Sequence, residues 1–343
     1  MKLIIPENYK AKLDSYDTQK AISKIHQLFE EQLCLQLGLS RVSAPLFLEA
    51  STGLNDDLNG VERPVDFDIK EDGRHCQVVQ SLAKWKRQAL KDYNFYVGRG
   101  LYTDMNAIRR DEELDNVHSI YVDQWDWEKV ITKETRTEET LRETVKAVYD
   151  ALRVTEKFVS NKYNYVECFL PETISFITSQ ELEDKYPNLS PKQREYEITK
   201  LKGAVFIEQI GGRLKSGEKH DGRSPDYDDW ITETGDGHRG LNGDLLVWNS
   251  VLQNSFELSS MGIRVNPESL KLQLAERGCQ DREQLPFHKR LLDGNMALTM
   301  GGGIGQSRMC MFFLKKAHIG EIQVSMWSDE DRAECKKHGI NLL

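Results

Sequence analysis

Cysteine is scarce and scattered. The six residues (Cys34, Cys76, Cys168, Cys279, Cys310, Cys335) lie far apart and form no CxxC pair. That argues against a zinc knuckle and a disulfide framework, and six reduced thiols in the cytoplasm are expected. Long apolar runs are missing too. The longest clean one, Met309 to Leu314, stops at Lys315 and Lys316, whereas a bilayer span needs about 20 apolar residues. The opening Met1-Lys2-Leu3-Ile4-Ile5-Pro6 is too short an apolar stretch for a secretory signal. Positive charge is in deficit: 46 Lys and Arg against 55 Asp and Glu leave a formal charge of −9. A chain that wraps nucleic acid would carry the opposite balance, so no nucleic-acid partner and no membrane are expected. Prolines number only nine, and no Pro-rich or Gly/Ser-rich linker or internal repeat divides the chain. One domain is expected over residues 1–343.

The apolar content, 39% of the chain, suffices for a globular core. Ile22, Ile25, Leu28, Phe29 and Leu33 recur at helical spacing, which predicts a helix from about Thr18 to Leu37 with Gly38 as the left-handed residue that ends it. A second helix is predicted from about Thr137. Thr135 and Glu138 stand at capping-box spacing, and Leu141, Val145, Val148, Leu152 and Val159 form one stripe. Both stripes read as core packing. Strands are predicted at Val42–Leu48, Gln77–Ser81, Ser119–Glu128, Asp244–Trp248 and Phe256–Ser260, the last two joined by a short polar turn. The expected class is α+β, a mainly antiparallel sheet flanked by helices. The stretch Leu214 to Gly240 has no apolar period and reads either as a binding loop or as a solvated excursion.

Several clusters could carry chemistry. Gly301-Gly302-Gly303-Ile304-Gly305-Gln306-Ser307-Arg308 lets backbone approach a flat ligand closely and ends on an arginine able to fork onto a phosphate. It is neither a P-loop nor a dinucleotide fingerprint. In the strand after Arg109, alternation puts His118, Ile120, Val122, Gln124, Asp126 and Glu128 on one face, and Tyr121, Asp123, Trp125 and Trp127 on the other. Asp244 and Glu257, across the hairpin, are two carboxylates suited to a hard cation that also holds phosphates. Asp56 sits in Gly53-Leu54-Asn55-Asp56-Asp57-Leu58-Asn59-Gly60. The run Ser81-Leu-Ala-Lys-Trp-Lys-Arg87 reads by itself as a solvated basic helix face. His220 and His238 lack metal-ligand spacing.

In order along the chain, these segments resemble the three motifs of the class II aminoacyl-tRNA synthetase catalytic fold. Gly38-Leu39-x-x-Val42-x-x-Pro45-Leu46-Phe47 resembles motif 1 (about 21–48), Arg109 and the strand to Glu128 motif 2 (about 107–128), and the glycine run to Arg308 motif 3 (about 299–316). Val122 stands where motif 2 usually has Phe. Ser81 to Arg87, Tyr121 to Glu128, Pro225-Asp-Tyr-Asp-Asp-Trp230, Phe256 to Val265 and Gly301 to Arg308 further resemble the ammonia-dependent asparagine synthetases, or aspartate–ammonia ligases, over nearly the whole chain. Gln80 departs from the histidine found there in some members.

The resemblance implies ATP-dependent amidation of L-aspartate by free ammonia through a β-aspartyl-adenylate, giving L-asparagine, AMP and pyrophosphate. It implies Mg²⁺ held by Asp244 and Glu257, Arg109 on the α-phosphate and attacking carboxylate, and Arg308 at the γ-phosphate. His118, Glu257, Leu258, Ser260, Gly303 and Gly305 would complete the nucleotide site, with glycines 301–303 beneath the adenine. Asp126 and Asp228 would take the substrate ammonium group. Ser81, Lys86, Gln124 and Arg264 would take its carboxylates and nearby polar atoms, and Asp56 would receive ammonium and remove its proton. Motif 1 implies a homodimer. The length leaves no room for an anticodon-binding or glutaminase domain, and Lys2 follows Met1 where a glutaminase would need cysteine. Two rivals, a tRNA-directed synthetase and a silent regulatory paralogue, are disfavoured by the charge balance and by the retention of Arg109, Asp244, Glu257 and Arg308.

Overall fold

The computed structural model describes residues 3–58, 62–164, 169–235 and 237–343. Met1, Lys2, Asn59, Gly60, Cys168 and one position of the 214–240 stretch lie outside them. In chain order the strands are β1 (Leu39–Arg41), β2 (Phe47–Glu49), β3 (Asp66–Asp68), β4 (His75–Val78), β5 (Gly100–Ile108), β6 (Tyr121–Val130), β7 (Ser175–Thr178), β8 (Ala204–Glu208), β9 (Glu233–Gly235), β10 (His238–Arg239), β11 (Asn242–Asn249), β12 (Asn254–Ile263) and β13 (Thr299–Gly305). The helices that position the site are α1 (Ser15–Leu37), α2 (Ala83–Asp92) and α3 (Glu138–Tyr163), together with helix Gln306–Phe313.

The main sheet runs β1-β5-β6-β13-β12-β11-β8-β7. Its two outermost pairings, β1 with β5 and β7 with β8, are parallel. All those between are antiparallel, as expected of the class. β2, β4 and β3 form a separate small antiparallel sheet. Of the predicted strand Val42–Leu48 only Phe47 and Leu48 are in a strand, β2, and β1 ends just before it, at Arg41, in the other sheet. Pro45, which has no N–H for a ladder, lies in the break between them.

α1 forms as its apolar stripe predicts. Ala21, Ile25, Phe29 and Leu33 are buried, and Gly38, at φ 72°, returns its N–H to the Cys34 carbonyl at 2.9 Å. α3 buries Leu141, Val145, Val148, Leu152 and Val159. Its cap is Thr137, which accepts from the Thr140 N–H at 3.2 Å; Thr135 instead accepts from the Thr132 N–H in the preceding turn. These two helices cover one sheet face together with Trp125, Trp127, Phe206, Leu245, Met261 and Ile304, which form the largest apolar cluster. Strand alternation sends the neighbours of the two tryptophans to the opposite face, and the candidate site is built there. Among the described residues no helix is long and apolar enough to cross a membrane.

Candidate active site

β6 supplies the floor. With Trp125 and Trp127 fully buried in the core, Gln124, Asp126 and Glu128 lie on the opposite face, where Asp126 meets α2. Lys86 on α2 is also fully buried, and its ammonium donates to the Asp126 carboxylate and to the carbonyls of Trp127 and Gly302, each at 3.1 Å. An ammonium has three protons, and here all three are taken. Lys86 therefore holds Asp126 in place and keeps no donor for a substrate carboxylate. Burial pulls its pKa down against the opposing pull of Asp126 and Glu128. The other Asp126 oxygen, Oδ2, is buried without a partner, and Asp126 borders the cleft.

The basic run around Lys86 is thus not a solvated face. Lys84 pairs with Asp226 at 3.2 Å, and Arg87 donates to the carbonyls of Val265 at 2.7 Å and Ala297 at 2.9 Å. Buried cations of this kind persist only where such acceptors meet them. The 214–240 stretch supplies several of these acceptors. Asp226, Asp228, Asp229 and Trp230 are buried in it, so this part of the stretch is a wall of the site and not a solvated excursion.

Arg264, directly after β12, donates to Glu128 through Nε at 3.1 Å and Nη2 at 2.8 Å, and to Asp228 through Nη1. Burial alone would lower its pKa, but these two carboxylates raise it. Asp228 is pushed up by burial in spite of Arg264. Arg109, just past β5, and Arg308, on helix Gln306–Phe313, border the same cleft. Among the described residues neither forms an ion pair. Arg109 Nε is buried without a partner, and Arg308 makes only 3.3 Å contacts to the carbonyls of Val117 and Glu257. His118 is oriented by Asp115, 2.9 Å from its Nδ1.

One cleft gathers Ser81, Lys86, Arg109, His118, Gln124, Asp126 and Asp228 with Glu257, Leu258, Ser260, Arg264, Gly303, Gly305 and Arg308. Asp56 and Asp244 do not border it. Asp244 sits opposite Ser260, and a bulge after Leu245 sets Glu257 opposite Leu246. The two carboxylates still sense each other: burial first, then Asp244, raises the Glu257 pKa. Arg223 already donates to one Asp244 oxygen. Among the described residues no group of three or more His, Cys, Asp or Glu side chains could hold a metal. Two carboxylates, one of them disfavoured in its charged form, fit an ion that takes its remaining ligands from phosphates and water.

Asp56 lies in a second layer. Gln80 donates to its carbonyl at 2.9 Å, and both of its carboxylate oxygens are buried without a hydrogen-bond partner among the described residues. Burial, Asp226 and Asp57 push its pKa up to about 7 against the opposing Lys84. The glycines divide their roles. A Cβ at Gly301 would strike the Glu128 carboxylate and come within 2.6 Å of Arg264 Nη2, whereas Gly303 and Gly305 border the cleft. Gly301 thus makes room for an ion pair instead of a base. Sequence reasoning passed over Glu128, Tyr227 and Asp123. The strand alternation that selected Gln124 and Asp126 also pointed to Glu128, and Tyr227 lay inside Pro225 to Trp230.

The sequence model of the family described as "Aspartate-ammonia ligase" matches residues 16–339. A protein named aspartate–ammonia ligase from Clostridium perfringens strain 13 is 58% identical over 343 residues, covering 100% of this chain and 99% of its own. One of the same name from Bacillus cytotoxicus is 57% identical over 335 residues, covering 98% and 100%. Among solved structures, Pyrococcus horikoshii asparaginyl-tRNA synthetase complexed with asparaginyl-adenylate superposes with a TM-score of 0.63 at 14% identity, over 90% of this chain and 68% of that one. The Entamoeba histolytica asparaginyl-tRNA synthetase complex gives 0.62 at 13% identity, over 90% and 66%, so the chain spans just under two thirds of that protein. At such identities the likeness establishes the fold: this sheet and its helices have the class II synthetase architecture.

Proposed function

Because the chain belongs to the aspartate–ammonia ligase family, we propose that its cleft joins ammonia to L-aspartate at the expense of ATP, by way of a β-aspartyl-adenylate that leaves AMP and pyrophosphate. The observation that carries this reading is a cleft holding two arginines that, among the described residues, form no ion pair, beside one carboxylate oxygen that finds no donor there. In the first half-reaction an anionic carboxylate attacks an anionic phosphate, and charge builds on the departing pyrophosphate. Cations fixed in advance lower that barrier. Arg109 is assigned to the α-phosphate and the incoming carboxylate, and Arg308 to the far end of the triphosphate. His118, Leu258, Ser260, Gly303 and Gly305 border the space left for the nucleoside and its phosphates.

The amino acid is read by opposite charge. Asp126 Oδ2 accepts from the substrate ammonium group, with Asp228 close behind it. Ser81, Gln124 and the remaining N–H groups of Arg264 take the carboxylates, while Lys86 positions Asp126. Asp244 and Glu257 would hold Mg²⁺, which when bound neutralises phosphate charge. Asp56, with its pKa near 7, is suited to accept a proton from ammonium near neutral pH. The free NH₃ then attacks the activated carbonyl and AMP leaves. We place the reaction in the cytoplasm. We also propose a homodimer built on the motif 1 segment, where Leu35, Leu46 and Phe47 are exposed.

Phosphorus NMR of the protein with ATP, aspartate and ammonium tests the chemistry. AMP and pyrophosphate are expected, whereas ADP and phosphate would replace the adenylate with an acyl phosphate. Light scattering on the purified chain tests the dimer, which a monomer mass would reject.

A further inference from the structure

A second cavity adjoins the cleft and shares Leu58, Arg109, Glu112, Tyr227 and Ser260 with it. Its charged lining is Glu62, Asp111, Glu112 and Asp221 against Arg109 and Arg223. Arg223 pairs with Asp244 and, at 3.8 Å, with Asp221, and Arg63 pairs with Asp111. Arg109 belongs to the nucleotide in the reading above, so the lining keeps an acidic excess at Glu112, which the main cleft shares, and at Asp221, whose pairing with Arg223 is long. An acidic lining alone selects nothing in particular, but Gln80 adds a directed group. Its side chain is fully buried and lines this cavity, not the main cleft. Its Nε2 donates to the Asp56 carbonyl at 2.9 Å, and that bond fixes which way the amide points. Oε1 is left buried with no donor among the described residues. A buried acceptor without a donor is costly, so the cavity suits a ligand that brings N–H or O–H groups.

We propose that this cavity is the docking site for the ammonium ion, with Gln80 Oε1 as its directed acceptor and an entrance separate from that of ATP and aspartate. Ammonium is all donor and no acceptor, carries the charge the lining favours, and is small enough to pass the wall formed by Arg109 and Tyr227. Docked there it lies beside Gln80, which is bonded to the Asp56 carbonyl, although Asp56 itself borders neither cavity. The inference rests on the reading of the chain as an ammonia-using ligase.

Gln80→Met keeps the length of the side chain and removes the acceptor. Its expected effect is a rise of about tenfold or more in the KM for ammonium, with the KM for ATP and aspartate unchanged. Aspartate-dependent exchange of pyrophosphate into ATP, which needs no ammonia, is expected at the wild-type rate. An unchanged ammonium KM overturns the docking site alone. Loss of exchange in the variant assigns Gln80 to activation and overturns it as well. Absence of exchange in the wild-type protein overturns the adenylate reading beneath it. Should Gln80→Met fail to fold, Asp221→Asn at the partly exposed rim is expected to raise the ammonium KM at low salt and to converge on wild type at high salt. An unaltered salt dependence contradicts the proposal. Crystals of the full chain soaked in rubidium, a monovalent ion close to ammonium in size, should show an anomalous peak beside Gln80 Oε1. A peak only in the main cleft, or water alone beside Oε1, overturns it.

Discussion

Asp126 divides its carboxylate between two tasks. One oxygen is bound to the buried Lys86 and the other faces the cleft without a donor. Asp126→Asn should therefore affect both stability and binding. Removing one partner of a buried ion pair costs about 3–5 kcal/mol, and the two carbonyls still bonded to Lys86 hold the loss toward the lower end. Calorimetry should show a clear fall in Tm, and the KM for aspartate should rise more than tenfold while that for ATP moves little. An equal rise for both substrates would remove Asp126 from amino-group recognition. Asp56 gives a pH prediction. Its folded pKa is raised to about 7, against about 3.9 in an unfolded chain. Between those values the folded protein keeps a proton that the unfolded chain has released. This contribution to stability is complete below the unfolded pKa and is lost as pH rises through about 7. Asp56→Asn never loses that proton, so its Tm advantage over wild type should be larger at pH 8 than at pH 5. The same difference at both pH values would contradict the raised pKa.

Within the β13 strand, neighbouring glycines have different reasons to be glycine. A Cβ at Gly301 meets the Glu128–Arg264 pair and comes within 2.6 Å of the Trp127 carbonyl, none of which can retreat. A Cβ at Gly303 meets only the end of the Gln124 side chain, which can swing away. Gly301→Ala should lower stability by about 3 kcal/mol or more or prevent folding. Gly303→Ala should fold with a near-normal Tm and bind substrate poorly through the displaced Gln124. Thermal melts and KM values on the two variants separate the cases, and the reverse pattern would contradict the contacts assigned to the two Cβ positions. Such elements were unevenly legible in the sequence. The stripes of α1 and α3 announced themselves because apolar burial repeats locally with the helical period. α2 did not, because Lys84, Lys86 and Arg87 look solvated until acceptors from distant segments, Asp226, Asp126 and Ala297, arrive around them. The wall at Asp226 to Trp230 was hidden for the same reason: its burial is dictated by Lys84, Arg136, Arg264 and His288, not by its own pattern. The break between β1 and β2 depended on pairing with two different sheets, which Pro45 hinted at and the apolar run Val42 to Leu48 concealed.

Across the whole molecule, the sheet separates two kinds of energy. Its helix-covered face holds the largest apolar cluster, which supplies the favourable burial. The opposite face buries Lys84, Lys86, Arg87, Glu128, Asp228 and Arg264 beneath a cleft whose Arg109 and Arg308 lack ion pairs among the described residues. Burying charge costs free energy even when it is paired, so this face is held rigid at the expense of stability drawn from the other. A ligand that completes its charge pattern should return part of that cost. At a hundredfold excess over its Kd, any ligand specific for the folded state adds about 2.7 kcal/mol. A non-hydrolysable analogue of β-aspartyl-adenylate reaches both the arginines and Asp126, and AMP reaches only the nucleotide half. At equal concentration the analogue should raise Tm by several degrees more than AMP, and Asp126→Asn should erase that extra rise while leaving the AMP shift in place. If the analogue and AMP stabilised the protein equally, the amino-acid half of the cleft would have no seat beside the nucleotide, and the two half-sites would not belong to one reaction.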